Sequence, residues 1–186
     1  LTGMALFSFL IVHLLGNLIL FAKMPMLFIK YADQLHIMGI LLYFAEAMLV
    51  LLFLTHIFYA ISVTLENRKG RSTSYYKVEN AGKPSRKGIS SMTMIYTGLI
   101  IVAFLVFHIK TLKYGPEYPI EKSEKQEQMR DIHRLVQETF KDKIFATIYC
   151  LSMIVLGFHL NHAFVSGFQS LGIDHQNYTP MLHFFG

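Results

Sequence analysis

Four of the nine histidines in this chain lie one each inside four long apolar segments: they are His13, His56, His108 and His159. An ionisable side chain at membrane depth is costly, and it commonly marks a functional site. A neutral imidazole binds a metal through one ring nitrogen and keeps the other as a hydrogen-bond donor that fixes the ring. Metal ligation is therefore the chemistry that these residues could share, provided that their helices bring them together.

The composition excludes an ordinary soluble domain, because 53% of the 186 residues are hydrophobic and only 16% are charged. A helix needs about 20 apolar residues to cross the hydrocarbon of a bilayer. Four segments meet that length, namely residues 1–22, 37–65, 89–109 and 144–168. We predict an all-α integral membrane protein, in which residues 1–186 form one transmembrane domain built as a helix bundle.

The segment between the second and third predicted helices is strongly basic. Its charged residues are Arg68, Lys69, Arg71, Lys77, Lys83, Arg86 and Lys87 against Glu66 and Glu79. Loops rich in lysine and arginine tend to stay in the cytoplasm, so this loop is predicted to lie inside and the first and third helices to run outward.

Two connections are then predicted on the outer side. A short loop over residues 23–34 contains Pro25 and joins the first two helices. In the longer segment, residues 121–142, apolar residues recur at helical spacing among charges: Met129, Ile132, Leu135, Val136 and Phe140. This pattern predicts an amphipathic helix along the surface. It is either a plain connection or a cover over a substrate site.

The position of each histidine along its helix sorts the four into two layers. At a rise of about 1.5 Å per residue, His13 lies about 12 Å before the outer end of the first helix, and His108 about 9 Å before that of the third. His56 and His159 each lie about 13 Å before the inner ends of their helices. We therefore expect His13 to face His108, here the outer pair, and His56 to face His159, here the inner pair.

Two stacked pairs of membrane histidines indicate two haems, each held by two axial imidazoles. A haem with both axial positions filled has no vacancy for oxygen or substrate, so its role is one-electron transfer. One alternative is that each histidine only forms hydrogen bonds between helices. Another is zinc, which normally takes four close ligands, whereas these histidines are spaced as two and two.

A short internal repeat accompanies the histidines: Thr2-Gly3 stands before His13 as Thr97-Gly98 stands before His108. Ten residues of helix are about 15 Å long, so both glycines are expected at the depth of the inner pair. A missing side chain there would admit either a porphyrin or a closely packed neighbouring helix, and both explanations are open.

The first helix reads LTGMALFSFLIVHLLGN, the inner loop begins ENRKGR, and the fourth helix reads FHLNHAFVSGFQSLGI before NYTP. Together these segments resemble the single-chain, two-haem cytochrome b anchor of succinate dehydrogenase and quinol:fumarate reductase. In that family the histidines matching His13 and His108 ligate the distal haem, and those matching His56 and His159 ligate the proximal haem.

The resemblance implies partners and a place in a respiratory chain. A flavoprotein subunit holding FAD would interconvert succinate and fumarate, as in the tricarboxylic acid cycle, and an iron–sulfur subunit would dock on the cytoplasmic face. This chain would carry two haem b groups, reach membrane lipid and a quinone such as menaquinone, and not act on succinate itself. It would be a multi-pass protein of the bacterial inner membrane, and no nucleic acid is expected as a partner.

The chain departs from the family in two respects. Members typically have a fifth membrane helix after the segment matching NYTP, so a fifth helix is expected to be missing here at the C-terminus. A glutamate that serves proton passage in some fumarate reductases stands two residues before the inner ligand of the fourth helix, and that position is Gly157 here. The resemblance therefore gives no support to that proton route.

Further candidates surround the four histidines. His162, one turn after His159, could bond a haem propionate. Basic residues of the inner loop could neutralise propionates or only reflect the charge of that side; the candidates are Arg68, Arg71 and Arg86. Glu46, ten residues outward of His56, is a quinone-site candidate for taking a proton, or else a structural hydrogen-bonding group. Weaker candidates for that site are Tyr31, Asp33 and His36.

Two other functions fit parts of the same pattern. The chain could be the two-haem cytochrome b of another membrane dehydrogenase or of a hydrogenase. It could also be a haem-free proton channel or transporter, with the histidines and Glu46 as a proton relay.

Overall fold

The computed structural model describes residues 1–70, 89–121 and 128–172. Its elements, in chain order, are α1 (Thr2–Leu18) with a 3₁₀ turn (Ile19–Phe21), α2 (Pro25–Ile37), α3 (Ile40–Lys69), α4 (Ile89–His108) with a π-helical turn (Ile109–Lys113), β1 (Pro119–Glu121), β2 (Gln128–Arg130), α5 (Ile132–Lys141) and α6 (Lys143–Ser170). In the described part of the chain, four helices are long and apolar enough to cross a membrane, namely α1, α3, α4 and α6. The prediction of a multi-pass membrane protein is confirmed at this level.

The four long helices meet along several faces. α1 packs against α3 and α6, and α4 packs against α6 and α3. The contact between α1 and α6 is close because Gly167 has no side chain: a Cβ there would collide with the Met4 side chain. Phe7 and Phe164 fill the same contact, with ring centroids 5.8 Å apart. Small residues of this kind let membrane helices approach closely.

α2, the hairpin of β1 and β2, and α5 pack together at the end of the long helices that is predicted to be outer. We call these elements the outer cap. The hairpin is antiparallel, with Ile120 opposite Met129. Phe28, Ile29 and Leu135 of the cap are among the most buried side chains in the described residues, with exposures of 6%, 3% and 1%. The cap therefore has a small apolar core of its own.

Arg130 fastens the hairpin to the end of α4. Its guanidinium donates to the carbonyl oxygens of Lys113 at 2.7 Å, Gly115 at 3.0 Å and Pro116 at 3.3 Å. These carbonyls lie at the end of the π-helical turn and just after it, where the regular helix bonds of α4 have ended, and Arg130 supplies donors to them. The hairpin and the last turn of α4 are thus joined.

The outer connections differ from the sequence-based expectations. The predicted loop over residues 23–34 is mostly helix α2, because Pro25 stands in its first turn, where the missing N–H costs no hydrogen bond. Gly39 then takes a φ of 53°, which permits the sharp change of direction into α3.

The amphipathic segment over residues 121–142 is helical only from Ile132. Asp131 begins this helix, since its carboxylate accepts from the backbone N–H of Arg134 at 2.8 Å. Met129, expected on the same helix face, belongs to β2 instead. The short hairpin corrects the all-α expectation outside the membrane-spanning helices.

Candidate cofactor site: two pairs of membrane histidines

The structure places the four membrane histidines in two pairs. His13 faces His108 with ring centroids 5.9 Å apart, and His56 faces His159 with centroids 6.5 Å apart. These are the pairs expected from the positions of the residues along their helices.

Each pair has the separation that one metal between two imidazoles requires. A ring nitrogen lies about 2 Å from a metal that it binds, so two rings on opposite sides of one metal have centroids roughly 6 Å apart. The ring planes cross at 85° in the outer pair and 81° in the inner pair; two axial rings can share one nitrogen–metal–nitrogen axis at any such angle. The residues therefore fit an iron porphyrin with two axial histidines.

A closed protein site for zinc does not fit the same residues. Within residues 1–70, 89–121 and 128–172, no three His, Cys, Asp or Glu side chains gather into a group that could hold a metal ion. Zinc in a structural site takes four protein ligands at about 2 Å. Two ligands per site suit a metal whose remaining positions are filled by its own macrocycle.

The paired histidines come from helices that are not principal neighbours. α1 packs mainly on α3 and α6, but its His13 faces His108 of α4. In the same way, α3 packs on α1 and α4, but its His56 faces His159 of α6. Each pair therefore joins two helices that are not principal packing partners of each other.

Hydroxyl groups on neighbouring helices hold three of the four rings at Nδ1. The distance from Nδ1 is 3.4 Å to Thr2 Oγ1 for His56, 3.1 Å to Thr97 Oγ1 for His159, and 3.4 Å to Tyr149 Oη for His108. When Nδ1 is engaged in this way, Nε2 is the nitrogen left for a metal. The His13 ring instead stacks on Phe9, with centroids 5.5 Å apart.

The two layers are about 15 Å apart along the helices. A Cβ placed on Gly3 would lie 3.6 Å from Cε1 of His56, and one on Gly98 would lie 3.4 Å from Cε1 of His159. Gly3 and Gly98 thus mark the inner layer on α1 and α4, and each stands ten residues before an outer histidine, which is about 15 Å of helix. Both helices give the same spacing.

The two glycines lie beside the inner histidines, but the imidazoles alone do not demand glycine. A Cβ on Gly3 would be in ordinary van der Waals contact with the His56 ring at 3.6 Å. A Cβ on Gly98 would lie 3.4 Å from the His159 ring, at the tight edge of that range. Helix packing at these two points would therefore tolerate alanine. Either clearance for a porphyrin or close helix packing can explain why no side chain larger than alanine stands at these two positions.

The remaining inner candidates are farther from the histidine rings. His162 is half-buried on α6, one turn beyond His159. Arg68 is exposed near the end of α3, twelve residues from His56, which is about 18 Å of helix. Arg71 and Arg86 lie outside the described residues. Propionate contacts for these residues stay predictions.

Glu46 forms an ion pair, which sequence reasoning did not foresee. Its carboxylate lies 2.6 Å from Nζ of Lys113, in the π-helical turn that follows His108, and the side chains are 35% and 44% exposed. The pair connects the outer part of α3 to the end of α4. Glu46 is therefore paired with a lysine near the outer layer, and its carboxylate is not isolated.

The quinone-site candidates on α2 are not gathered around Glu46. Tyr31 packs its ring on Gly16 of α1, where a Cβ would collide with the phenol. Asp33 is half-buried and His36 is exposed. Tyr31 thus has a packing role in seating α2 on α1, and the structure does not join these residues into one polar site with Glu46.

Tyr149 is the residue of the outer layer that sequence reasoning missed. Its ring contacts Phe104, Phe107 and Phe140, with centroid distances of 5.1, 5.8 and 4.8 Å. It lies ten residues before His159, as Glu46 lies ten residues before His56, and this spacing was the available signal. Through Phe140, Tyr149 also connects His108 to the outer cap.

Comparisons of the chain with known protein families, with curated proteins and with solved structures give no match.

Proposed function

We propose that this chain is the membrane anchor and cytochrome b subunit of a succinate:quinone oxidoreductase or fumarate reductase. It relays electrons between an iron–sulfur subunit and a membrane quinone through two haem b groups, each held by two histidines. Its location in this proposal is the bacterial inner membrane.

The observation that carries the proposal is the presence of two histidine pairs, 5.9 Å and 6.5 Å between ring centroids, stacked about 15 Å apart. If the histidines only formed hydrogen bonds between helices, or only relayed protons, they would not need to form two pairs with the separation of two axial ligands. A proton relay would instead need a continuous series of hydrogen-bonding groups, and the two histidine layers, about 15 Å apart, are too far from each other for direct proton transfer.

In this function His13 and His108 bind the outer haem, and His56 and His159 bind the inner haem. A haem with two axial histidines supplies one-electron transfer. Thr2, Thr97 and Tyr149 orient three of the four rings through Nδ1. Glu46 and the candidates on α2 are the groups near the outer layer that can exchange protons with a quinol.

The choice of succinate and fumarate rests on the sequence resemblance. The segments LTGMALFSFLIVHLLGN, ENRKGR and FHLNHAFVSGFQSLGI carry it. The partners in this proposal are a flavoprotein subunit with FAD and an iron–sulfur subunit on the cytoplasmic face, and the quinone is menaquinone.

The first test is haem quantitation with reduced-minus-oxidised visible spectra on the purified complex. We expect two haem b per chain in the wild type. His56→Ala or His159→Ala should remove or disturb one haem, and His13→Ala or His108→Ala should affect the other, because each pair shares one iron.

His133→Ala is the matched control, since His133 lies on α5 outside the membrane-spanning helices, and it should retain both haems. A colourless wild-type protein would contradict the proposal in favour of the channel. Losses that group His13 with His56 would contradict the pairing.

Co-purification with a tagged chain tests the finer part of the proposal. A partner that contains covalent or tightly bound flavin, together with an iron–sulfur protein, is the expected result. A molybdenum or nickel protein in their place would instead assign the cytochrome to another dehydrogenase or to a hydrogenase.

A further inference from the structure

The threonine of each Thr-Gly repeat contacts an inner histidine on the adjacent helix. Thr2 of α1 lies 3.4 Å from Nδ1 of His56 on α3, and Thr97 of α4 lies 3.1 Å from Nδ1 of His159 on α6. The same residue type at the same sequence spacing thus meets the same ring atom twice, in two separate pairs of helices.

The surroundings of Thr97 determine the direction of its hydrogen bond. Its Oγ1 lies 3.2 Å from the carbonyl oxygen of Thr93 and 3.1 Å from that of Met94. A hydroxyl has one hydrogen to donate, and carbonyl oxygens only accept. When that hydrogen goes to the helix backbone, Oγ1 can only accept from His159, so the ring carries its proton on Nδ1 and leaves Nε2 free.

The outer pair has a tyrosine hydroxyl at one Nδ1 and no threonine at either. His108 meets the phenol of Tyr149 at 3.4 Å, and the His13 ring is stacked on Phe9. Threonine support is therefore specific to the inner layer among the described contacts, so its effect can be measured with the outer layer as an internal reference.

We propose that Thr2 and Thr97 are positioning residues that hold His56 and His159 in the Nδ1–H tautomer and tune the reduction potential of the inner haem. This inference rests on the proposed function. Accepting a hydrogen bond from Nδ1–H makes the imidazole a stronger electron donor, which stabilises the ferric state. The two hydroxyls together hold the potential of the inner haem lower than the histidines alone would.

The test is redox titration of the purified complex carrying Thr97→Val, Thr2→Val or both, followed by visible spectra. Valine keeps the branched shape and removes the acceptor. We expect each single change to raise the midpoint potential of the inner haem, identified as the one disturbed in His159→Ala. The expected rise corresponds to about a threefold change in the ratio of reduced to oxidised haem, or about 30 mV for one electron. The outer haem should not shift.

Two further variants separate positioning from general damage. Thr97→Ser restores the hydroxyl and should return the potential toward the wild-type value. Thr64→Val is the matched control, because Thr64 makes the same kind of backbone bond, to the Ala60 carbonyl at 2.7 Å; it should leave both potentials unchanged.

Each other outcome has a defined meaning. Unshifted inner potentials in Thr97→Val and Thr2→Val, or an equal shift in Thr64→Val, would overturn the inference while the proposed function stands. Loss of the inner haem in Thr97→Val but not in Thr97→Ser or Thr64→Val would support it. A wild-type complex without haem would overturn the proposed function and this inference together.

Discussion

The imidazole of His159 has a different kind of neighbour on each side: the Thr97 hydroxyl at Nδ1, and beside Cε1 the place where Gly98 has no side chain. One residue supplies a hydrogen bond and the next leaves space. A single turn of α4 thus sets both the direction and the clearance of the ring.

Gly98→Val tests that clearance. A Cβ at this position already lies at the tight edge of contact with His159, and two additional methyl groups would enter the space beside the ring. We expect the variant to lose the inner haem and to retain the outer one in haem quantitation and difference spectra.

Gly157→Val is the matched control for this substitution, since a Cβ at Gly157 meets nothing within 4 Å. It should retain both haems. Retention of the inner haem in Gly98→Val, with an unshifted spectrum, would show that the space beside His159 is not used.

The histidine pairs could be predicted from residue positions because the membrane-spanning helices are long and have a nearly constant rise. Their side-chain partners could not. Threonine and tyrosine are common in membrane helices, and only the folded arrangement shows which hydroxyl meets Nδ1. The sequence shows the Thr-Gly repeat, but only the structure shows that Thr2 and Thr97 contact the inner histidines.

At the scale of elements, the end of α4 is joined to its surroundings by two kinds of contact. Arg130 donates to the carbonyl of Lys113 at the end of the π-helical turn, and Glu46 forms an ion pair with the side chain of the same lysine. π-helical turns are rare and frequently stand at functional sites. The segment that follows His108 is therefore held from both the outer cap and α3.

The Glu46–Lys113 pair permits a test of the two interpretations of Glu46. Both side chains are partly exposed, so we expect Glu46→Gln to change the free energy of unfolding by no more than about 1 kcal/mol. Thermal melts followed by the haem absorbance measure this. The charge-reversed double variant Glu46→Lys with Lys113→Glu should restore whatever stability either single variant loses.

Quinone turnover in the same variants decides the role. If Glu46 takes a quinol proton, turnover falls in Glu46→Gln and the charge reversal does not restore it. If the ion pair is only structural, the reversal restores turnover along with stability. Lys141→Ala, which breaks the exposed Glu138–Lys141 pair on α5, is the control for loss of a surface ion pair.

The outer connections show where prediction from periodicity failed. Residues 23–34 contain a proline and lie between two apolar helices, which suggested a loop, yet proline is acceptable in the first turn of α2. Phe28 and Ile29 are buried, and α2 packs against α5 and β2, so burial in the outer cap stabilises this helix. Such tertiary contacts cannot be read from a short segment alone.

At the scale of the whole molecule, the two layers are separated by about 15 Å of a hydrocarbon region about 30 Å thick. Under the proposed function, an electron that moves between the layers therefore crosses about half of the membrane potential. At about 2.3 kcal/mol per charge for 100 mV, this amounts to about 1.2 kcal/mol.

Proteoliposomes with an imposed potassium diffusion potential test this consequence. A potential of 100 mV, negative on the side of the inner layer, should favour the outer haem and change the distribution of an electron between the two haems about sevenfold. Spectra of the partly reduced protein measure the change, and an ionophore that collapses the potential should abolish it. A shift toward the inner haem would reverse the predicted orientation, and no shift would contradict the stacked arrangement.

The chain has an approximate twofold pattern about the line through both layers. A rotation of half a turn about this line would bring α1 onto α4 and α3 onto α6. It would exchange the two Thr-Gly repeats, and it would exchange the two histidines of each pair. Under the proposed function, each half-chain brings one ligand to each iron, and neither half can complete a coordination sphere alone. The inner haem can then be bound by both of its histidines only after α6 has entered the bilayer, whereas the histidines of the outer pair are both present once α4 has entered.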